Sequence, residues 1–167
     1  GTFDFNGKAY SPHNFDPKDN VGPVTARHAL AHSINTATIR LAEAVGYDKV
    51  VELASAAGIP DVKPTPAMAI GAYDATPLNM AEAYTVFSNG GVRVAPRFIR
   101  SIEARGGDTL ESVTPERTNV LDPRVAYIVT DMLESVLNEG TAAAVGARFN
   151  SPAAGKTGSS HDAWFAG

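Results

Sequence analysis

Apolar positions recur at spacings of three and four along much of the first half of the chain. Over residues 25–46 this spacing predicts two helices that meet near Ser33. Asp48 is placed to cap a third helix, which Gly58 would help to end. Residues 1–23 hold prolines and glycines among scattered aromatic side chains, a composition that favours turns and extended segments. The first half is therefore predicted to be helical after an irregular lead-in.

The second half combines two well-marked helices with a predicted hairpin. Thr76-Pro77 and Asp122-Pro123 each join a capping side chain to a proline that suits the first helical turn. An apolar pattern of helical period follows both pairs. Between these helices, residues 92–102 and 109–113 flank a glycine-containing turn, which predicts a β-hairpin. A short helical segment is expected over residues 141–145.

Composition is that of a folded protein and narrows the classes of function. Of 167 residues, 44% are hydrophobic and 19% are charged, which argues against a disordered chain. Because the net charge is -4 and the sequence has no basic block, we do not expect it to bind nucleic acid. Cysteine is absent, which excludes a disulfide, a thiolate nucleophile and a cysteine-based zinc site.

The two ends of the sequence resemble cuts within a longer protein. The chain starts at Gly1 without a methionine or a signal-peptide pattern, and it stops in the apolar run that ends at Gly167. No stretch approaches the roughly 18 apolar residues of a membrane span. We therefore expect residues 1–167 to be one partial domain, truncated at both ends.

Two short patterns suggest binding sites but fail on spacing. Gly155-Lys156-Thr157 resembles the end of a phosphate-binding P-loop, yet that motif needs a glycine five positions earlier, where this chain has Asn150. His28 and His32 would share one face of a helix, as some metal ligands do. The H-E-x-x-H pattern fails because Ala29 follows His28. Neither nucleotide binding nor a metal site is predicted.

Two other tripeptides point to serine-enzyme chemistry. Lys156-Thr157-Gly158 has the form of the K-T-G element of penicillin-interacting enzymes, and Ser33-Ile34-Asn35 has the form of their S-x-N element. A simpler alternative is that Ser33 or Asn35 is only the N-cap of the next helix. The order of the two elements, one at a helix junction and one opening an apolar strand, favours the enzymatic interpretation.

Longer runs strengthen this interpretation: Tyr10–Asn14, Ala29–Thr38, Ala69–Ala72, Thr76–Leu78, Phe87–Gly91 and Gly155–Gly158. With these runs, nearly the whole chain resembles the transpeptidase domain of class A high-molecular-mass penicillin-binding proteins. The resemblance implies an α/β (α+β) fold of the serine transpeptidase and β-lactamase type, mostly helical in this chain with few strands of the antiparallel sheet.

One element of the family pattern is missing. The nucleophile of these enzymes lies in an S-x-x-K motif, and none of the five lysines here has a serine three residues before it. In the family this motif precedes S-x-N, so the nucleophile is expected upstream of Gly1. The isolated chain is consequently expected to be inactive.

The resemblance also assigns roles to residues of this chain. Ser33 would relay a proton toward the leaving amine, and Lys156 would supply positive charge, so these two are the predicted catalytic residues. The predicted substrate-binding residues are Asn35, Thr157, Gly158 and Ser159. Asn35 would align the substrate amide, the hydroxyl groups of Thr157 and Ser159 would hold its carboxylate, and Ser159 N–H would also complete the oxyanion hole.

The function implied is that of a peptidoglycan D,D-transpeptidase that cross-links stem peptides ending in D-Ala-D-Ala and is acylated by β-lactams. No metal or organic cofactor is implied. The same resemblance suggests an upstream glycosyltransferase domain and a membrane anchor, with this domain at the outer face of the cytoplasmic membrane. Two alternatives remain: a D,D-carboxypeptidase or β-lactamase, and a catalytically inactive module that binds or senses β-lactams or peptidoglycan.

Overall fold

The chain opens with a tight hairpin rather than an irregular lead-in. In the computed structural model, which describes residues 1–14, 16, 22–159 and 162–167, strands β1 (Phe3–Phe5) and β2 (Lys8–Tyr10) pair antiparallel. Asn6 and Gly7 form the turn, with φ angles of 54° and 74°. Asn-Gly is the dipeptide that favours positive φ at both central positions of a two-residue hairpin turn. The hairpin places Phe3 in the core.

Three helices follow, as the apolar spacing predicted, with two corrections at their starts. The N-cap position of α2 is Ile34, whose side chain makes no capping hydrogen bond, so neither Ser33 nor Asn35 is the N-cap. Asp48 lies in the first turn of α3, whose N-cap position is Gly46, with φ 98°. The bounds of these helices are α1 Ala26–Ala31, α2 Asn35–Val45 and α3 Tyr47–Ala56.

The proline-containing segment after α3 includes a short 3-10 helix, Pro66–Ile70, that the sequence pattern did not predict. Proline occupies its first turn, and Gly71 ends it in the left-handed conformation with φ 84°. Met68 packs into the core from this segment. The 3-10 helix contacts α2 and α3, so it forms one wall beside the start of α2.

The two capped helices have the predicted starts. Helix α4 (Pro77–Ser88) has a complete capping box, in which Thr76 Oγ1 accepts from Asn79 N at 3.1 Å and Asn79 Oδ1 accepts from Thr76 N at 3.1 Å. Helix α5 (Pro123–Asn138) is capped by Asp122, which accepts from Arg124 N at 2.8 Å. The short helix α6 covers Ala143–Gly146.

The predicted hairpin between these helices is only partly correct. Strands β4 and β5 pair across the glycine turn, but β3 pairs antiparallel with β6, which was not predicted. Gly91, next to β3, makes this possible because a Cβ there would collide with the carbonyl oxygen of Leu121. The bounds are β3 Val92–Val94, β4 Ser101–Glu103, β5 Thr109–Ser112 and β6 Arg117–Asn119.

The last pair of strands carries the K-T-G tripeptide. Strand β7 (Lys156–Ser159) pairs antiparallel with β8 (Ala163–Ala166), so Thr157 lies opposite Phe165. Gly155 N donates to Leu133 O at 3.4 Å, which ties the entry of β7 to α5. The mixture of helices and short antiparallel strands agrees with the predicted fold class.

Helix α5 is the centre of the packing. It contacts α1, α4, α6 and β7, and its Val136 is fully buried. Ile39 of α2 and Val86 of α4 are likewise almost fully buried. Because α1 and β7 both pack on α5, the turn after α1 and the start of β7 are held close together. In the part of the chain that is described, no helix is both long and apolar enough to span a membrane.

Candidate active site

Ser33 lies in a strained turn between α1 and α2. Its φ angle is 57°, a left-handed conformation that few residues other than glycine adopt. Two backbone hydrogen bonds close the turn, from Ser33 N to Leu30 O at 3.3 Å and from Ile34 N to Ala29 O at 2.9 Å. Ile34 is buried, so the packing of its side chain offsets part of the backbone strain. The turn thus holds the Ser33 side chain on the wall of a cleft.

Lys156 meets Ser33 across this cleft although 123 positions separate them in the sequence. Lys156 Nζ donates to Ser33 Oγ at 3.1 Å, to Thr157 O at 2.8 Å and to Thr157 Oγ1 at 3.3 Å. Partial burial lowers the pKa of Lys156, because removal of water disfavours the charged ammonium. The ammonium is a donor only, so every oxygen around it must act as an acceptor.

Asn35 begins α2 on the same side of the cleft. Its Nδ2 donates to His13 O at 2.7 Å. Asn14 Oδ1 accepts from both Thr36 N and Thr36 Oγ1, at 3.1 and 3.2 Å. Asn14, from a segment 22 positions earlier in the chain, therefore caps the first turn of α2, which Ser33 does not do. The sequence indicated Tyr10–Asn14 only as part of a resemblance, and its contact with the start of α2 had no local signal.

All six predicted site residues line one cleft of about 680 Å³. Ser33 and Asn35 come from the α1–α2 junction, and Lys156 to Ser159 come from β7. Residues 69–72, which include the end of the 3-10 helix, form another wall. The six predicted residues therefore bring one ammonium, three hydroxyl groups and a carboxamide into the cleft. This set of donors suits a ligand that carries both a carboxylate and a peptide amide.

Thr141 is a polar residue of the cleft that the sequence did not indicate as part of a site. Thr141 Oγ1 lies 2.6 Å from Thr157 Oγ1, and Thr141 lines the cleft beside Lys156. The pattern indicated Thr141 only as the start of a short helix. Nothing in the local sequence marks its hydroxyl, because the contact depends on how α5 and β7 pack.

His28 lies in α1, and His32 is the residue at the C-cap of this helix. The rings of His28 and His32 lie 4.2 Å apart, centroid to centroid. Within residues 1–14, 16, 22–159 and 162–167, no cluster of three or more His, Asp or Glu side chains is arranged to hold a metal ion.

Solved structures define the class of fold. The chain superposes on the crystal structure of penicillin-binding protein 1A from Haemophilus influenzae with a TM-score of 0.89, at 24% identity, over 98% of this chain and 31% of that one. It also superposes on the D,D-transpeptidase domain of a peptidoglycan glycosyltransferase from Eggerthella lenta with a TM-score of 0.78, at 26% identity, over 99% and 49% of the two chains. The fold is thus that of the serine transpeptidases.

Sequence comparison then identifies the family. Residues 2–163 match the family model described as the penicillin binding protein transpeptidase domain, and the chain belongs to this family. It is 40% identical to penicillin-binding protein 1A of Aquifex aeolicus and 34% identical to penicillin-binding protein 1B of Escherichia coli, over 96% and 97% of this chain. It spans about a fifth of the length of these relatives, 22% and 20% respectively.

Proposed function

We propose that this chain supplies the S-x-N and K-T-G elements of a peptidoglycan D,D-transpeptidase. The observation that carries the proposal is the hydrogen bond from Lys156 Nζ to Ser33 Oγ. It lies inside a cleft whose donors suit a ligand with a carboxylate and a peptide amide. This hydrogen bond joins the S-x-N and K-T-G elements, which are far apart in the sequence, into one polar site. Acyl transfer requires a proton carrier beside the leaving group and donors for developing negative charge.

The roles we assign follow from the chemistry of each side chain. Ser33 both accepts and donates, so it can pass a proton toward the leaving amine while Lys156 stabilises its oxygen. Asn35 aligns the substrate amide through its carboxamide. Thr157 and Ser159 donate to the substrate carboxylate, which the charge of Lys156 attracts. Gly158 lets the substrate approach the strand closely, because no side chain projects from it.

The nucleophilic serine in this proposal belongs to a longer polypeptide. The chain has no S-x-x-K motif, and it spans about a fifth of its relatives' length. Ser159 N–H would form half of the oxyanion hole, and the nucleophile's own N–H would form the other half. We therefore propose that residues 1–167 are part of a transpeptidase domain and that they are inactive alone.

The proposal extends to the setting of the whole protein. Its substrates would be peptidoglycan stem peptides ending in D-Ala-D-Ala, and β-lactams would acylate the same serine. A glycosyltransferase domain and a membrane anchor would precede this segment, with the cleft on the outer face of the cytoplasmic membrane. The similarity to penicillin-binding proteins 1A and 1B supports this arrangement.

Mass spectrometry after incubation with a labelled penicillin tests the proposal. We expect a covalent adduct on the full-length protein, on a serine outside residues 1–167, and none on the isolated chain as control. An adduct on the isolated chain would overturn the choice of nucleophile. Absence of reaction in the full-length protein would favour the inactive binding module, and rapid release of the adduct to water would favour a carboxypeptidase or β-lactamase.

A further inference from the structure

Thr141 links the two elements of the cleft. Its backbone N–H donates to Ala31 O at 3.0 Å, at the end of α1, while its Oγ1 lies 2.6 Å from Thr157 Oγ1 on β7. Gly140 permits this approach, because a Cβ there would collide with the carbonyl oxygen of Ala31. The backbone of Thr141 is therefore held against the end of α1, directly before Ser33.

The hydroxyl of Thr157 has only one proton and two acceptor positions. Lys156 Nζ, 3.3 Å away, is a donor only and takes one acceptor position. Either threonine can donate in the contact between Thr141 and Thr157. When Thr141 donates, both acceptor positions of Thr157 are filled. The Thr157 proton is then available only to an acceptor in the cleft.

We propose that Thr141 is a positioning residue that makes Thr157 a dedicated hydrogen-bond donor to the carboxylate of the ligand. The inference rests on the proposed function, which brings a carboxylate to Thr157. A carboxylate has acceptors and no donors, so a Thr157 hydroxyl whose proton already points into the cleft matches it. Thr141 acts through Thr157 and need not touch the ligand.

The substitution Thr141→Val tests this role, because valine keeps the shape and removes the hydroxyl. We expect the rate constant for acylation of the full-length protein by benzylpenicillin to fall roughly tenfold, the size of one net hydrogen bond. Acylation by the methyl ester of benzylpenicillin should fall less than about threefold, because the ester lacks the ionised group and depends less on a charge-assisted bond. The preference for carboxylate over ester should therefore shrink.

Two further variants separate positioning from general damage to the fold. Thr141→Ser keeps the hydroxyl and should restore the preference for the carboxylate. Thr130→Val makes the same replacement on α5, where the hydroxyl donates to Ala126 O at 2.9 Å, and should leave the preference unchanged. Equal losses for acid and ester in Thr141→Val, or failure of Thr141→Ser to restore the preference, would overturn the proposal.

Failure of the proposed function is visible separately. If the wild-type protein forms no adduct, the same variants are compared by equilibrium dialysis with N-acetyl-D-alanyl-D-alanine and its C-terminal amide. Weaker binding of the free acid alone in Thr141→Val supports the role of Thr141 without acylation. Unchanged binding, or no binding of either dipeptide by the wild-type protein, overturns it.

Discussion

At the scale of single residues, the site depends on a serine with a left-handed backbone conformation and a lysine that is partly buried. Ser33 has a left-handed φ, and the buried neighbour Ile34 holds the turn in place. The Lys156 ammonium then reaches three oxygens within 3.3 Å. Position and charge together make the pair suited to proton transfer beside an anionic ligand.

Loss of the Lys156 charge should weaken reaction with carboxylate-bearing ligands. We expect Lys156→Gln to slow acylation of the full-length protein by benzylpenicillin at least tenfold, because hydrogen bonds to charged groups contribute about 1.5–3 kcal/mol. Lys49→Gln, on the exposed surface of α3, is the matched control and should change the rate less than about twofold. Similar acylation rates for the two variants, measured by stopped-flow fluorescence, would show that Lys156 has no role in the reaction.

The pH dependence of acylation should report the same lysine. Burial lowers the pKa of Lys156, so rising pH removes its positive charge before an exposed lysine would lose its own. The acylation rate should therefore decline on the alkaline side, with a midpoint below the ordinary value for lysine. Brief pH jumps measure this without prolonged exposure to alkali. A decline that persists unchanged in Lys156→Gln would assign the titration to another group.

At the scale of elements, the cleft depends on a close approach between the α5–α6 loop and the end of α1. Gly140→Ala would drive a Cβ into the carbonyl oxygen of Ala31 and within 3.0 Å of Val136 Cα. Since backbone must move, we expect a loss of about 1–3 kcal/mol in stability and a lower melting temperature of the full-length protein. Gly106→Ala is the control, because a Cβ there meets nothing within 4 Å. Equal melting temperatures for the two variants would contradict this packing.

The capped starts of α4 and α5 were predicted correctly, and strand pairings between distant segments were not. The β1–β2 hairpin was missed although Asn6-Gly7 is a local turn signal. The caps of α4 and α5 involve Thr76 and Asp122 with residues two or three positions away, so the sequence displays them. The pairing of β3 with β6 depends on contacts some 25 positions apart, and no local pattern encodes it. The cap predicted at Asp48 was wrong because Gly46 both ends α2 and precedes α3.

The same contrast applies to the cleft. Ser33 and Lys156 were named because their tripeptides match a known family, and periodicity alone gives no reason to join them. Asn14 and Thr141 act through tertiary contacts with Thr36 and Thr157, so their hydrogen bonds became visible only in the folded chain. Family motifs thus predict which groups meet, whereas the supporting residues follow from packing.

At the scale of the whole molecule, one face remains strongly apolar. Strand β8 leaves Trp164 and Phe165 40% and 53% exposed, beside an apolar cavity of about 420 Å³ between α4, α5 and this strand. Two-stranded sheets such as β7–β8 are marginally stable without further cover. The fold therefore exposes two large aromatic side chains beside a sheet that has only two strands.

We expect the isolated chain to be poorly stable for this reason. It should bind the dye ANS, show a broad thermal transition and lack protected amides in β7 and β8 by hydrogen exchange. The full-length protein, measured alongside, should protect these amides. A sharp cooperative melt of the isolated chain with native-like amide protection would show that the exposed face does not limit its stability.

The most direct test of the central claim is a crystal structure of the full-length protein acylated by benzylpenicillin. We predict that the carboxylate of the bound penicillin accepts hydrogen bonds from Thr157 and Ser159, with Lys156 Nζ still within hydrogen-bond distance of Ser33 Oγ. Asn35 should contact the amide of the penicillin side chain. A penicilloyl group attached away from this cleft, or a carboxylate that contacts neither hydroxyl, would contradict the assignment of the active site.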